Sequence, residues 1–241
     1  MKVPIKKTNL RRYAAEMIGT FGIIFFWTGM TVIPASMGIL GQSLLEYLFL
    51  GLAIFGLTLA AGRVSGGHFN PAVTFAFWVS RKIKTRQMLI YIGCQAIAVF
   101  LAVGLFGVFF PSLGKPETIE PGISLLKTLM FESVVTFLLV FVIMRVSRNG
   151  QVRGQRGALA AGAMYAVITY LTAPFHYPAG HCLRAAALAG FSSRLDEIWV
   201  YFTAAIIGSA VAAFASTMID KIDPLKKKER TVAKQPPRSK L

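Results

Sequence analysis

The apolar residues of this chain gather into stretches long enough to cross a bilayer, and that limits the fold more than anything else in the sequence. Spans run over residues 12–33, 44–63, 87–109, 124–145, 157–175 and 197–219. Each is close to the ~20 apolar residues that a helix needs to cross about 30 Å of hydrocarbon. No water reaches that depth, so each segment satisfies its own backbone groups and is predicted to be helical. Two shorter apolar pieces, 69–79 and 182–191, have about half the crossing length and read as re-entrant segments. The expected fold class is therefore an all-α membrane protein with six transmembrane helices and two re-entrant half-helices. Composition agrees: 55% of residues are hydrophobic and 15% charged, which excludes a disordered chain, a collagen-like repeat and most soluble folds.

A formal net charge of +16 would suggest nucleic acid in a soluble protein. Here the positions of the charges decide. Lys2, Lys6, Lys7, Arg11 and Arg12 precede the first span. Arg81, Lys82, Lys84 and Arg86 lie before the third, and Arg145, Arg148, Arg153 and Arg156 before the fifth. Lys221, Lys226, Lys227, Lys228, Arg230, Lys234, Arg238 and Lys240 follow the last. In a six-span chain these segments share one side, where only Lys115, Lys127, Arg184 and Arg194 are found opposite. The positive-inside rule makes the basic side cytoplasmic and both termini internal. Residues 1–11 form a cytoplasmic N-terminal segment. Residues 220–241, with Pro236-Pro237, form a basic cytoplasmic tail expected to be disordered and to touch anionic membrane lipid. Nucleic acid is not the expected partner, because the tail lacks interleaved aromatics and a folded basic domain.

The chain also repeats itself. Residues 14–26 read AAEMIGTFGIIFF and residues 130–142 read MFESVVTFLLVFV. Glu16 matches Glu132, Thr20 matches Thr136 and Phe21 matches Phe137. Each half, about 12–109 and 124–219, holds three spans and one short segment. An odd number of spans per half inverts the second copy, and inverted repeats place their site at the interface near the midplane. A carboxylate within a span is costly and needs a reason. Glu16 and Glu132 are expected to brace the re-entrant loop of their own half, because exposed loop N–H groups need acceptors.

The first short segment carries the motif SGGHFNPAVTFAF, residues 65–77. Asn70 suits a helix N-cap and Pro71 the first helical position. Gly66 and Gly67 allow tight non-helical backbone just before them. A half-helix is thus expected to start at Asn70 in mid-membrane, its N-terminus partly positive and rich in unpaired N–H donors.

Gly67-His68-Phe69-Asn70-Pro71-Ala72-Val73-Thr74 resembles the first NPA box of the major intrinsic proteins, the aquaporins and aquaglyceroporins. The six spans, the inverted repeat, the paired glutamates, and Tyr91 and Gln95 on the third span extend the likeness over about 12–219. The resemblance implies an aquaporin-like channel domain there, a pore in each subunit lined by His68, Asn70, Pro71 and Ala72, and a homotetramer. Gly19, Gly22 and Gly162 permit close helix approach but do not count subunits.

The second box departs from the family pattern. Residues 174–190 read PFHYPAGHCLRAAALAG. Aligned on the arginine, His181-Cys182-Leu183-Arg184 take the NPAR positions. Aligned on the proline, Tyr177-Pro178-Ala179 take them and Gly180 replaces the arginine. The first register is preferred, since the spacing from Glu132 to His181 is nearer to that from Glu16 to Asn70. There His181 begins the second half-helix without its proline. Its ring N–H can serve a passing solute oxygen or act as a neutral structural cap, and its protonation would add a charge that Asn never adds. Cys182 reads as a small packing residue.

The physical logic follows. Two half-helix N-termini make the centre positive and repel cations. Asn70 donates to a passing oxygen and interrupts the water wire along which protons hop. Arg184 lines the narrowest point and its fixed charge blocks cations. The resemblance and ungapped counting place Leu50, Thr169 and Pro178 beside it. A tight water filter of the family has an aromatic in helix 2 and a His in helix 5; neither is present. Glyceroporins carry Asp after the arginine; here it is Ala185. The expectation is a passive channel for water and for small neutral solutes such as glycerol, an integral multi-pass protein of the plasma (inner) membrane. An ion- or proton-leaky or pH-gated channel, and a non-conducting structural family member, stay open because of the altered second box. No phosphate loop, nucleophile set or metal-spaced cluster is found among three His and two Cys, so no enzyme, cofactor or metal is expected.

Overall fold

The computed structural model describes residues 7–37, 43–110, 124–147, 150–152, 154–173, 180–192 and 195–222. Tyr177, Pro178, Lys115, Arg194 and the tail beyond residue 222 lie outside the described residues.

The helices in chain order are α1 (Lys7–Ser36), α2 (Leu44–Ser65), α3 (Pro71–Val79), α4 (Thr85–Phe109), α5 (Leu125–Val146), α6 (Gly154–Thr172), α7 (Cys182–Ser192) and α8 (Ile198–Ile222). A 3₁₀ turn, Leu195–Glu197, leads into α8. Five helices, α1, α2, α4, α5 and α8, are long and apolar enough to cross a membrane on length and composition alone. The sixth crossing helix, α6, has 19 residues but opens on Gly154-Gln155-Arg156. It therefore begins about a turn before the apolar run that marks it in the sequence. The half-helices α3 and α7 have 9 and 11 residues. At 1.5 Å per residue that is about 14 and 17 Å, roughly half the hydrocarbon thickness.

Two boundaries differ from the sequence reading. α1 starts at Lys7, ahead of the apolar span, because Arg11 and Arg12 continue the helix into the interface, where long cationic side chains reach headgroups. α8 runs to Ile222, so the first residues of the segment assigned to a disordered tail are helical. There Arg145 Nη1 donates to Asp220 Oδ1 at 2.5 Å and ties α5 to α8.

Packing follows the repeat. α1 packs on α2 and α4, as α5 packs on α6 and α8; α2 packs on α6 across the pseudo-two-fold. The half-helices exchange neighbours: α3 packs on α8 as well as α4, and α7 on α4 as well as α8. Along the central seam backbone meets backbone. A Cβ on Gly51 would sit 2.8 Å from the Gly162 carbonyl oxygen. Gly162 is thus consumed inside the subunit, and Gly19 is consumed too, covered by the Phe69 ring.

The outer surface is apolar all round. Leu52, Phe49, Phe100, Leu138, Val167 and Phe214 are among the large apolar residues it exposes. A belt of this kind needs a solvent as apolar as itself, which makes the chain an integral multi-pass membrane protein. The interior is mixed, with Glu16, Asn70, Gln95, Glu132, His181 and Arg184 all buried beside the apolar core.

Candidate functional site

The site is built where the two re-entrant loops turn into α3 and α7. In the first half, Gly66 ends α2 in the left-handed conformation (φ 111°) and Gly67 continues it (φ 66°). A Cβ on Gly67 would lie 2.7 Å from the Val152 carbonyl oxygen, so the connection between α5 and α6 presses directly on this loop. The Val152 N–H donates to the Gly66 carbonyl at 2.5 Å. Phe69 is also left-handed, with φ 49°. A non-glycine residue held there is strained, and the reason lies in what its amide and carbonyl reach.

Glu16, wholly buried in α1, accepts three hydrogen bonds. Oε1 takes the His68 N–H at 3.0 Å, and Oε2 takes the Phe69 N–H at 2.8 Å and Gln95 Nε2 at 2.9 Å. In the second half, Glu132 Oε2 accepts the Gly180 N–H at 2.9 Å. His68 lies behind the loop. Its Nε2 is 3.0 Å from the Gly150 carbonyl and its Nδ1 is 3.2 Å from Thr74 Oγ1.

Asn70 caps α3, its Oδ1 accepting the Ala72 N–H at 2.8 Å, with Pro71 in the first helical position. Its amide uses both hydrogens: Nδ2 donates to the Gly180 carbonyl at 3.0 Å and to the Tyr165 hydroxyl at 2.9 Å. α7 starts at Cys182, so His181 stands before it as Asn70 stands before Pro71. The Arg184 N–H reaches His181 Nδ1 at 3.4 Å, and His181 Nε2 lies 3.2 Å from the Phe69 carbonyl. A backbone N–H only donates and a carbonyl only accepts, so the neutral tautomer with its proton on Nε2 fits both contacts.

The two caps are reciprocal. Asn70 donates to the carbonyl of the residue before His181, and His181 donates to the carbonyl of the residue before Asn70. Gly180 and Phe69 are both left-handed, at φ 74° and 49°, which turns each carbonyl toward the opposite cap. Imidazole therefore supplies the acceptor and donor that a carboxamide would supply, at the cost of a longer reach.

Around this centre Leu50, Cys182 and Leu183 are buried in one apolar cluster with Trp27 and Tyr165. Thr169 is buried, its hydroxyl turned back to the Tyr165 carbonyl of its own helix at 2.6 Å. Arg184 is 2% exposed, its guanidinium 4.3 Å from the Trp27 ring centroid. Trp27 and Tyr165 carry no motif or spacing signal in the sequence, where each is one aromatic residue of an apolar span.

The family model described as "Major intrinsic protein" matches residues 5–216. A glycerol uptake facilitator protein-like 6 of Lactiplantibacillus plantarum is 34% identical, over 89% of this chain and 100% of its own. Aquaporin NIP1-1 of Zea mays is 31% identical over 87% and 75%. Aquaporin Z of Photorhabdus laumondii is 30% identical over 84% and 94%. Among solved structures, the aquaglyceroporin from Plasmodium falciparum superposes with a TM-score of 0.75 over 91% of this chain and 99% of its own, at 23% identity. That likeness concerns the fold. With six crossing helices, two half-helices and a family match over most of its length, the chain belongs to the major intrinsic protein family, whose members are channels and not enzymes.

Proposed function

We propose that the chain is a passive channel for water and for small neutral solutes of about the size of glycerol. The observation that carries this is the meeting of two half-helix N-termini, capped by Asn70 and His181, each of which donates to the carbonyl of the opposite loop and so holds the two ends at one centre. Unpaired N–H groups and aligned peptide dipoles make such a centre positive, which disfavours cations and hydronium. The buried guanidinium of Arg184 adds a fixed charge of the same sign. A neutral oxygen suffers none of this repulsion. The surrounding apolar side chains, Leu50 and Leu183 among them, bind it too weakly to hold it. Similar proteins carry both kinds of name, a glycerol uptake facilitator and water channels, which supports a path open to both.

In this reading residues 12–219 are the channel domain, the basic ends face the cytoplasm of a plasma (inner) membrane, and the basic tail rests on anionic lipid. The assembly is a homotetramer with one path per subunit.

One observation favours a second reading, a non-conducting family member. Asn70, His181 and Arg184 are all buried, and the Tyr165 hydroxyl holds a donor of Asn70. Stopped-flow light scattering on liposomes decides. The channel reading expects faster shrinkage than empty liposomes under a sucrose gradient, re-swelling under a glycerol gradient, and no current under voltage clamp. Currents that grow as pH falls would make the altered second box an ion or proton path. Protein-containing liposomes no faster than empty ones would leave the non-conducting reading.

A further inference from the structure

α1 ends, α2 begins and α4 ends on one face of the membrane, the face opposite the basic termini. Between these three helix ends lies a groove of about 580 Å³, within the usual size of a small-ligand site. Phe25 and Phe26 of α1 line it, with Phe106, Phe109 and the C-cap residue Phe110 of α4. Its floor forms where α1 and α4 meet ring to ring, Phe25 on Phe106 at 5.1 Å. Gly29 makes room for that contact, since a Cβ there would stand 3.0 Å from the Phe106 ring. The groove runs along α1 from Pro34 to Phe25, about 14 Å at 1.5 Å per residue. That is close to half the ~30 Å of hydrocarbon, the depth of one leaflet. The rim faces sideways, with Phe26 41% and Phe109 69% exposed. Both belong to the apolar belt, so the groove opens to lipid.

One residue of the lining is not apolar. Glu46 stands in the first turn of α2, at the interface end of the groove. An acid there complements the helix dipole, and Ser43-Leu44-Leu45-Glu46 has the spacing of a capping box. Yet Ser43 makes no side-chain cap hydrogen bond, and Glu46 Oε2 is closed off from solvent with no hydrogen-bond partner. No cation among the described residues pairs with it; the ion pair among them joins Arg145 to Asp220, at the other face. A buried polar oxygen is costly unless something donates to it. We infer that the groove is a site for a membrane lipid whose headgroup carries a primary ammonium, an ethanolamine phospholipid. One acyl chain lies along the phenylalanines and the ammonium meets Glu46. The groove has the length of a chain in one leaflet, and its lateral opening admits that chain without a passage through water. A primary ammonium brings three N–H donors and a positive charge, and hydrogen bonds between charged groups are the stronger kind. A quaternary choline headgroup has the charge but no N–H to give. The inference needs only that the chain spans a membrane, not that it conducts.

Native mass spectrometry of the full chain tests this, with an ethanolamine and a choline phospholipid of identical acyl chains added in turn. Both lipids are net neutral, so the basic ends favour neither. Wild type is expected to bind the ethanolamine lipid severalfold more tightly. Glu46→Ala should bring the two affinities together. Leu105→Trp, which fills the groove from its lining, should weaken both. Each variant is checked for far-UV helicity and for a monodisperse elution profile. Equal affinities in wild type would overturn the inference. So would a preference that survives Glu46→Ala, or binding unchanged by Leu105→Trp. A wild type that is silent in liposomes but keeps the Glu46-dependent lipid preference would remove the channel reading and leave this inference standing.

Discussion

Replacing Glu16 by Ala removes an acceptor that three buried donors share. These are the N–H groups of His68 and Phe69, at 3.0 and 2.8 Å, and Gln95 Nε2, at 2.9 Å. Glu16 is 0% exposed, so bulk water does not reach them. A buried donor left without an acceptor costs about 1–3 kcal/mol. Three such donors give about 3–9 kcal/mol, the lower figure applying if a water enters the space the carboxylate leaves. That is a large share of the 5–15 kcal/mol typical of a folded protein. Glu16→Gln keeps one oxygen but turns an NH₂ group toward the N–H cluster, so at least one donor stays unmet, at about 1–3 kcal/mol. SDS-driven unfolding in mixed micelles, followed by far-UV circular dichroism, measures both, with liposome flux as the functional readout. The expected order of stability is wild type, then Glu16→Gln, then Glu16→Ala, and the last should lose conduction. A Glu16→Ala protein within about 0.5 kcal/mol of wild type would refute the reasoning, because the three hydrogen bonds would then be replaceable at no cost.

Gly162→Val drives a branched side chain into the Gly51 carbonyl and the Phe55 backbone, and should cost at least the ~1–3 kcal/mol of overpacking; Gly56→Ala, where nothing lies within 4 Å, is the neutral control in the same unfolding assay. His181→Asn keeps an acceptor for the Arg184 N–H but is too short to span to the Phe69 carbonyl, so it should lose about 0.5–1.5 kcal/mol while water flux, read by light scattering, is retained. Asp220→Asn breaks the ion pair with Arg145, whose partners are 27% and 15% exposed, and should change stability by less than about 1 kcal/mol, with flux unaltered.

The crossing helices were legible because a bilayer imposes a length on apolar runs that few soluble cores imitate. The half-helices were legible for a related reason: 69–79 and 182–191 are too short to cross, and Asn70-Pro71 marks a helix start by cap chemistry alone. Helix ends were less so. α6 takes in Gln155 and Arg156, and α1 takes in Arg11 and Arg12, because helices continue into the interface where hydropathy no longer reports them. Of the centre, Asn70 could be found from its motif, and His181 from its distance to Glu132. Trp27 and Tyr165 could not, since a single aromatic in an apolar span carries no local signal of the direction it faces. Their positions are set by how α1 and α6 rotate against their neighbours, which depends on contacts such as Gly51 with Gly162 that link distant parts of the chain.

The reciprocal hydrogen bonds at the centre act as a clasp between the duplicated halves. Asn70 holds Gly180 and His181 holds Phe69, so neither loop can open without releasing the other. Local unfolding there is a single cooperative event with one free energy. The amides of His68, Phe69 and Gly180 should therefore exchange with deuterium at a common rate, although Gly180 lies more than a hundred residues from the other two in the chain. For the history of such a chain, the same clasp means that a duplicated half cannot drift alone. A change of cap in one copy, as from carboxamide to imidazole, persists only if the new side chain still reaches the carbonyl presented by the other.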